Sequence, residues 1–101
     1  MWYRLDENNK PIACESVLEY HAWEERNEIR RIVKQENIGD IKISTVFLGL
    51  DHAYDGEPLL WETMVFGGEH DQFQERYSSY EDAVIGHKET VALVKVSIEL
   101  S

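Results

Sequence analysis

The chain contains two neighbouring apolar runs of strand length, STVFLGLDH at residues 44–52 and LLWETMVFGG at residues 59–68. A polar, acidic loop joins them, and Gly, Pro and Asp residues bound them, which is typical of paired strands at the centre of a sheet. A β-branched run from Ile41 extends the first segment towards its N-terminus. We therefore expect an antiparallel sheet centred on residues 41–50 and 59–66.

Two helices are predicted, at residues 15–26 and 79–94, because strong helix formers there carry apolar side chains at helical spacing. The first apolar stripe consists of Val17, Leu18, Ala22 and Trp23. The second consists of Ala83, Val84, His87, Val91 and Val94. Ser78 or Ser79 can cap the second helix, with Glu81 completing a capping box after Ser78. Gly86 costs about 1 kcal/mol relative to Ala in a helix, so it indicates close approach of this helix to the sheet.

Residues 2–5 predict a short first strand, and residues 29–36 either extend the first helix or form another strand. The turn cluster at residues 37–40 leads directly into the run from Ile41, which favours a hairpin and therefore a strand at 29–36. The prediction is one α+β domain over residues 1–101. It has two layers, an antiparallel sheet of about four strands packed against two helices.

Length and composition narrow the class of protein. A chain of 101 residues supports one core, and 3 Trp, 5 Tyr and 3 Phe supply large side chains for it. No apolar run approaches the ~18 residues that span a bilayer, and the first residues lack a secretion signal. Cys14, the single cysteine, cannot form an internal disulfide and is expected to be a buried, inert thiol. We expect a cytoplasmic protein that does not bind membranes.

The net charge of −10 is concentrated in one third of the chain. Residues 51–82 hold nine acids against Arg76 alone, whereas residues 1–50 carry a net charge of only −2. Such a field repels nucleic acid and attracts basic proteins, although acidic loops also simply keep small domains soluble. The predicted binding face consists of Asp51, Asp55, Glu57, Glu69, Asp71 and Glu75.

Both predicted central strands are apolar on both faces, which is typical of strands covered on both sides. Helices, loops or a second copy of the chain can supply that cover, so a homodimer is compatible with the pattern. Leu48 and Phe66 are accordingly predicted to be buried. Glu62 lies between apolar positions of one face and needs a partner, for which Arg76, Arg4 and Tyr77 are the candidates.

The side chains able to bind a metal or transfer a proton are Asp51, His52, Glu62, His70, Asp71 and His87. They lack the His-x-x-x-His, Cys-pair and Asp-x-Asp spacings of metal sites, so no cofactor and no bound metal are predicted. His87 is expected to be a hydrogen-bonded core histidine. The alternative to a binding protein is a small metal-dependent hydrolase that uses Asp51, His52 and Glu62.

The segments STVFLGLDH (44–52) and ETMVFGG (62–68), with Arg76-Tyr77, Ala83 and Gly86-His87, resemble a family of small proteins encoded by tailed phages and prophages. The resemblance covers residues 29–94 and assigns neither an activity nor catalytic residues. It implies an accessory phage protein in the bacterial cytoplasm. Combined with the charge, it predicts a binder of a host protein that presents a basic surface, of the kind that holds nucleic acid, with a counter-defence or host-takeover role.

Overall fold

The computed structural model describes residues 1–100, which form two antiparallel sheets and two α-helices. In chain order the elements are β1 (Tyr3–Leu5), β2 (Pro11–Ala13), α1 (Val17–Arg26), β3 (Ile32–Ile38), β4 (Ile41–Phe47), β5 (Trp61–Phe66), β6 (Gln74–Tyr77) and α2 (Tyr80–Leu100). A 3-10 helix at Glu28–Arg31 leads into β3. This is the predicted α+β fold, with one more two-stranded sheet than expected.

The main sheet is an antiparallel meander in the order β3-β4-β5-β6, and α2 packs across one of its faces in contact with all four strands. The cross-strand pairs Phe47–Trp61 and Ile43–Val65 are fully buried on that face. Because side chains alternate along a strand, every second residue of β4 and β5 enters this core. The core therefore lies between the sheet and α2, as in other two-layer α+β domains.

The N-terminal hairpin β1-β2 and α1 pack at one end of the main sheet. The Tyr3 N–H donates to the Gly49 carbonyl at 2.7 Å, and the Trp23 ring meets the Phe47 ring edge-on with 5.8 Å between centroids. Ser16 caps α1, since its Oγ accepts the Glu19 N–H at 3.3 Å. These contacts join the aromatic side chains of the N-terminal segment to the core.

The predicted helices are confirmed, although several details of the prediction were wrong. In α1 the inward side chains are Tyr20 and Trp23, because the helix packs on β1 and the 3-10 helix. Val17 and Leu18 of the predicted inward stripe are exposed. In α2 the predicted inward stripe is confirmed, and the helix continues to Leu100. Of the two predicted caps, Ser79 is the one that caps α2, since its Oγ accepts the Asp82 N–H at 3.0 Å.

The strand predicted at 29–36 begins at Ile32, because its first residues belong to the 3-10 helix. The strand predicted at 41–50 ends at Phe47, before Gly49 turns the chain with a φ of +82°. Residues 49–51 then pair with residues 1–3 at the N-terminus of the chain instead.

The face of the main sheet turned away from α2, which includes Glu62, Met64 and Phe66 of β5, is called the open face. Neither helix covers this face within residues 1–100, because α2 lies on the other face and α1 contacts β1 and the 3-10 helix. Cover by a second copy of the chain stays a prediction. Phe66 is accordingly 41% exposed, and Leu48 is only partly buried.

Within residues 1–100, neither helix combines the length and the apolar character needed to cross a bilayer.

The close approach predicted at Gly86 is present, and the neighbouring group is the ring of Tyr77. A Cβ at position 86 would lie 2.2 Å from the Tyr77 hydroxyl oxygen. Glycine at position 86 therefore allows α2 to pack closely against β6.

We predict that Tyr20 makes the protein less stable in alkali. Its hydroxyl donates to Glu24 at 3.1 Å, and burial raises the pKa of Tyr20 to about 12 from the usual 10.0. The folded state keeps this proton where the unfolded chain loses it, so the stabilisation is complete below pH 10 and is lost as the pH rises towards 12. Urea unfolding from about pH 8 to about pH 11 should show a smaller decline for Tyr20→Phe than for the wild type. An equal decline in both proteins would contradict the assignment.

Candidate functional site

The acidic loop (residues 51–59) projects from the end of the main sheet that carries the N-terminal hairpin. Asp51 Oδ1 closes its base by accepting the N–H groups of Ala53 at 2.8 Å and Leu59 at 3.0 Å. The His52 N–H donates to the Leu59 carbonyl at 3.2 Å. The two backbone donors hold the pKa of Asp51 below its usual value, so this carboxylate is charged and stabilises the base of the loop.

The tip of the acidic loop carries an aromatic ring between negative charges. Tyr54 is fully exposed, and the neighbouring Asp55 and Glu57 are exposed as well. Gly56 turns the tip with a φ of +85°. No ion pair engages Asp55 or Glu57 within residues 1–100. Both acids were predicted from the sequence, whereas Tyr54 was not, because the sequence of a polar loop does not show whether one aromatic ring is buried.

The six acids predicted as a single binding face fall into separate groups. Asp51, Asp55 and Glu57 belong to the acidic loop, at the Trp61 end of β5, whereas Glu69 and Asp71 follow its Phe66 end. The two ends are about 17 Å apart at the rise of an extended strand. Glu75 lies between them on the edge strand β6. Asp71 Oδ1 accepts the Gly67 N–H at 2.6 Å, so this carboxylate also stabilises the turn that follows β5.

Glu62 and Arg76 form the ion pair that was predicted as one alternative for Glu62. The Arg76 Nε donates to Glu62 Oε2 at 3.0 Å on the open face, and Gln74 donates to the same oxygen. Asp51 and His52 lie instead at the base of the acidic loop. In the part of the chain that the structure describes, no three His, Cys, Asp or Glu side chains are grouped to hold a metal ion, and this includes His70 and His87. Asp51, His52 and Glu62 therefore do not form one cluster of metal ligands.

Cys14 is buried, and burial raises the pKa of its thiol. The thiolate form is disfavoured, in agreement with the expectation of an unreactive cysteine.

A chain of buried polar side chains connects α2 to the main sheet. His87 is 2% exposed; its Nε2 lies 2.7 Å from Glu36 Oε1, and its Nδ1 lies 2.6 Å from Thr45 Oγ1. The chain continues from Thr45 to Thr63 Oγ1 at 2.6 Å and to the Tyr77 hydroxyl at 3.0 Å. The predicted hydrogen-bonded core histidine is thus confirmed. Although the order carboxylate, imidazole, hydroxyl is that of a catalytic triad, Thr45 is fully buried and its hydroxyl cannot reach a substrate.

A cleft of about 230 Å³ opens between the edge strand β3 and the first half of α2, above the Glu36–His87 pair. It is called the β3-α2 cleft, and its lining consists of Val33, Lys34, Glu36, Tyr80, Val84, His87 and Lys88. Strand alternation places Lys34 and Glu36 on one face, but only the tertiary fold brings α2 to that face. This cleft was therefore not predicted from the sequence.

Comparison with known proteins found no matching family model, no matching curated protein and no matching solved structure. Function is therefore inferred from the acidic loop and the β3-α2 cleft.

Proposed function

We propose that this protein is a non-enzymatic binding protein that docks its acidic loop onto a basic surface of another protein. The observation that carries this proposal is the fully exposed Tyr54 beside Asp55 and Glu57, on a loop closed by Asp51. Exposed aromatic rings that become buried in a complex supply much of its binding energy. A loop held at its base also loses less conformational freedom on binding than an unrestrained one.

The partner that fits this charge is a basic protein surface. The acids at the loop tip have no ion pairs within the described part of the chain, so they are available to a partner. Glu81 and Asp82, in the first turn of α2, lie at the same end of the sheet and add to the negative field. The net charge of −10 disfavours direct contact with nucleic acid but suits a surface that normally holds a phosphate backbone. Following the phage resemblance, we propose a host protein in the bacterial cytoplasm as the partner.

The loop charges are expected to set the rate and salt dependence of association. We predict that Asp55→Asn with Glu57→Gln slows association with a partner isolated from bacterial lysate and flattens its dependence on ionic strength, because charges near a contact steer encounter. The matched control is Glu69→Gln with Glu75→Gln, which removes the same charge away from the loop tip. Association kinetics at low and high salt compare the three proteins.

Tyr54→Ala should act on the lifetime of the complex. Loss of an aromatic anchor costs roughly 2 kcal/mol or more, which is at least about 30-fold in dissociation constant. All of these residues are exposed, so the urea unfolding midpoint should stay unchanged and exclude misfolding as the cause. Equal effects of the two charge pairs, together with unchanged affinity of Tyr54→Ala, would show that the loop is only a solvated surface.

A further inference from the structure

We propose that the β3-α2 cleft binds a small phosphate monoester whose body carries hydroxyl groups. This site is separate from the acidic loop and goes beyond the proposed protein-binding function. It rests on the charges and hydrogen-bonding groups that converge on the cleft from two elements of the fold.

Lys34 of β3 and Lys88 of α2 supply positive charge to the cleft from two directions. Both are exposed, and neither makes an ion pair within residues 1–100. The chain has only five lysines, at positions 10, 34, 42, 88 and 95, and two of them meet here in a protein of net charge −10. Lysine ammonium groups are common phosphate ligands, and a phosphate monoester carries about −1.5 to −2 at neutral pH, which two ammonium groups balance.

Glu36 and His87 supply a fixed polar floor. The imidazole is held on both sides, by Glu36 Oε1 at 2.7 Å and by Thr45 Oγ1 at 2.6 Å, so its orientation is set before any ligand arrives. The Glu36 side chain is 34% exposed, and its Oε2 makes no hydrogen bond within the described chain. A carboxylate oxygen only accepts hydrogen bonds, so the ligand group that meets it must be a donor such as a hydroxyl.

The walls and the volume limit the size of the ligand. Val33, Val84 and the Tyr80 ring are partly buried and form the apolar sides of the cleft. A volume of about 230 Å³ is below the roughly 300 Å³ at which sites for drug-sized ligands begin. The ligand is therefore a phosphate group with a short hydroxylated body, placed with its phosphate between the lysines and its hydroxyls towards Glu36.

The test is an NMR titration of the ¹⁵N-labelled protein with glycerol 3-phosphate, inorganic phosphate and glycerol. We expect saturable shifts at the amides of residues 33–36 and 84–88, with tighter binding of glycerol 3-phosphate than of inorganic phosphate and none of glycerol. Lys34→Gln with Lys88→Gln should weaken binding of the ester by about tenfold or more, since it removes the charged hydrogen bonds to the phosphate. Lys42→Gln with Lys95→Gln removes the same total charge elsewhere and should leave the affinity within about twofold.

Glu36→Gln tests the orientation of the ligand. It should narrow the preference for glycerol 3-phosphate over inorganic phosphate, because a neutral amide is a weaker acceptor than a carboxylate. The proposal is overturned by the absence of saturable shifts up to about 10 mM ligand, by equal weakening in the two lysine pairs, or by equal affinity for the ester and for inorganic phosphate.

Discussion

Trp61→Ala should lower the free energy of unfolding by about 3–5 kcal/mol, a large share of the ~5–15 kcal/mol that stabilises a typical domain. Trp61 is the largest fully buried side chain and lies in β5, where its ring packs against Phe47 with 5.2 Å between centroids. Removing it leaves a cavity between the main sheet and α2 that rigid strands cannot fill. Urea unfolding followed by far-UV circular dichroism measures the loss without relying on the fluorescence of the substituted tryptophan.

Phe66→Ala is the matched control for Trp61→Ala because it truncates an aromatic residue of the same strand. Phe66 is 41% exposed on the open face, so its loss should cost clearly less, about 1 kcal/mol. Similar losses for the two variants would mean that the core does not lie on the α2 side of the sheet.

Gly49→Ala should destabilise the protein by roughly 2–4 kcal/mol through two separate effects. Gly49 has a φ of +82°, which residues with a Cβ avoid, and a Cβ there would lie 2.3 Å from Cε1 of Tyr20. The Tyr20 ring cannot easily move away, because its centroid lies 4.7 Å from that of the Trp2 ring and 6.2 Å from that of the Trp23 ring. The N-terminal segment would have to separate from the end of the sheet to make room.

Gly39→Ala isolates the backbone part of the Gly49 effect. Gly39 also has a positive φ, +60°, but a Cβ there would have no neighbour within 4 Å. It should therefore cost only about 1–2 kcal/mol, and the difference between the two variants measures the contact with Tyr20. If the urea midpoint falls equally in both variants, the Tyr20 ring does not pack closely against position 49.

Local patterns were sufficient to predict most of the elements, because the signals for β4, β5 and both helices lie within short stretches of chain. The face of α1 was predicted incorrectly, since Val17 and Leu18 are apolar by sequence but point away from the surface on which this helix packs. The exposure of Phe66 on the open face was not predicted for a similar reason. The apolar sequence of β5 does not show whether the rest of the chain covers both faces of the sheet.

The candidate sites depended more strongly on tertiary structure. Glu36 and His87 are 51 residues apart in the chain, and no spacing rule connects a strand carboxylate to a helical imidazole at that distance. The acids of residues 51–82 look like one group in the sequence, but β5 runs through the segment and carries Glu69 and Asp71 to the end of the sheet opposite the acidic loop. The number of charges can be counted from the sequence, whereas their positions in space follow from the direction of β5.

The closure of the acidic loop at its base has a consequence for how this protein can change over generations. Asp51 and Leu59 make the hydrogen bonds that hold the loop together, whereas the exposed tip around Tyr54 and Asp55 makes no contact on which the core depends. Substitutions at the tip therefore carry little stability cost, so this segment tolerates changes of sequence. In related sequences, we expect rapid turnover at residues 53–57 between a nearly constant Asp51 and a constant strand β5.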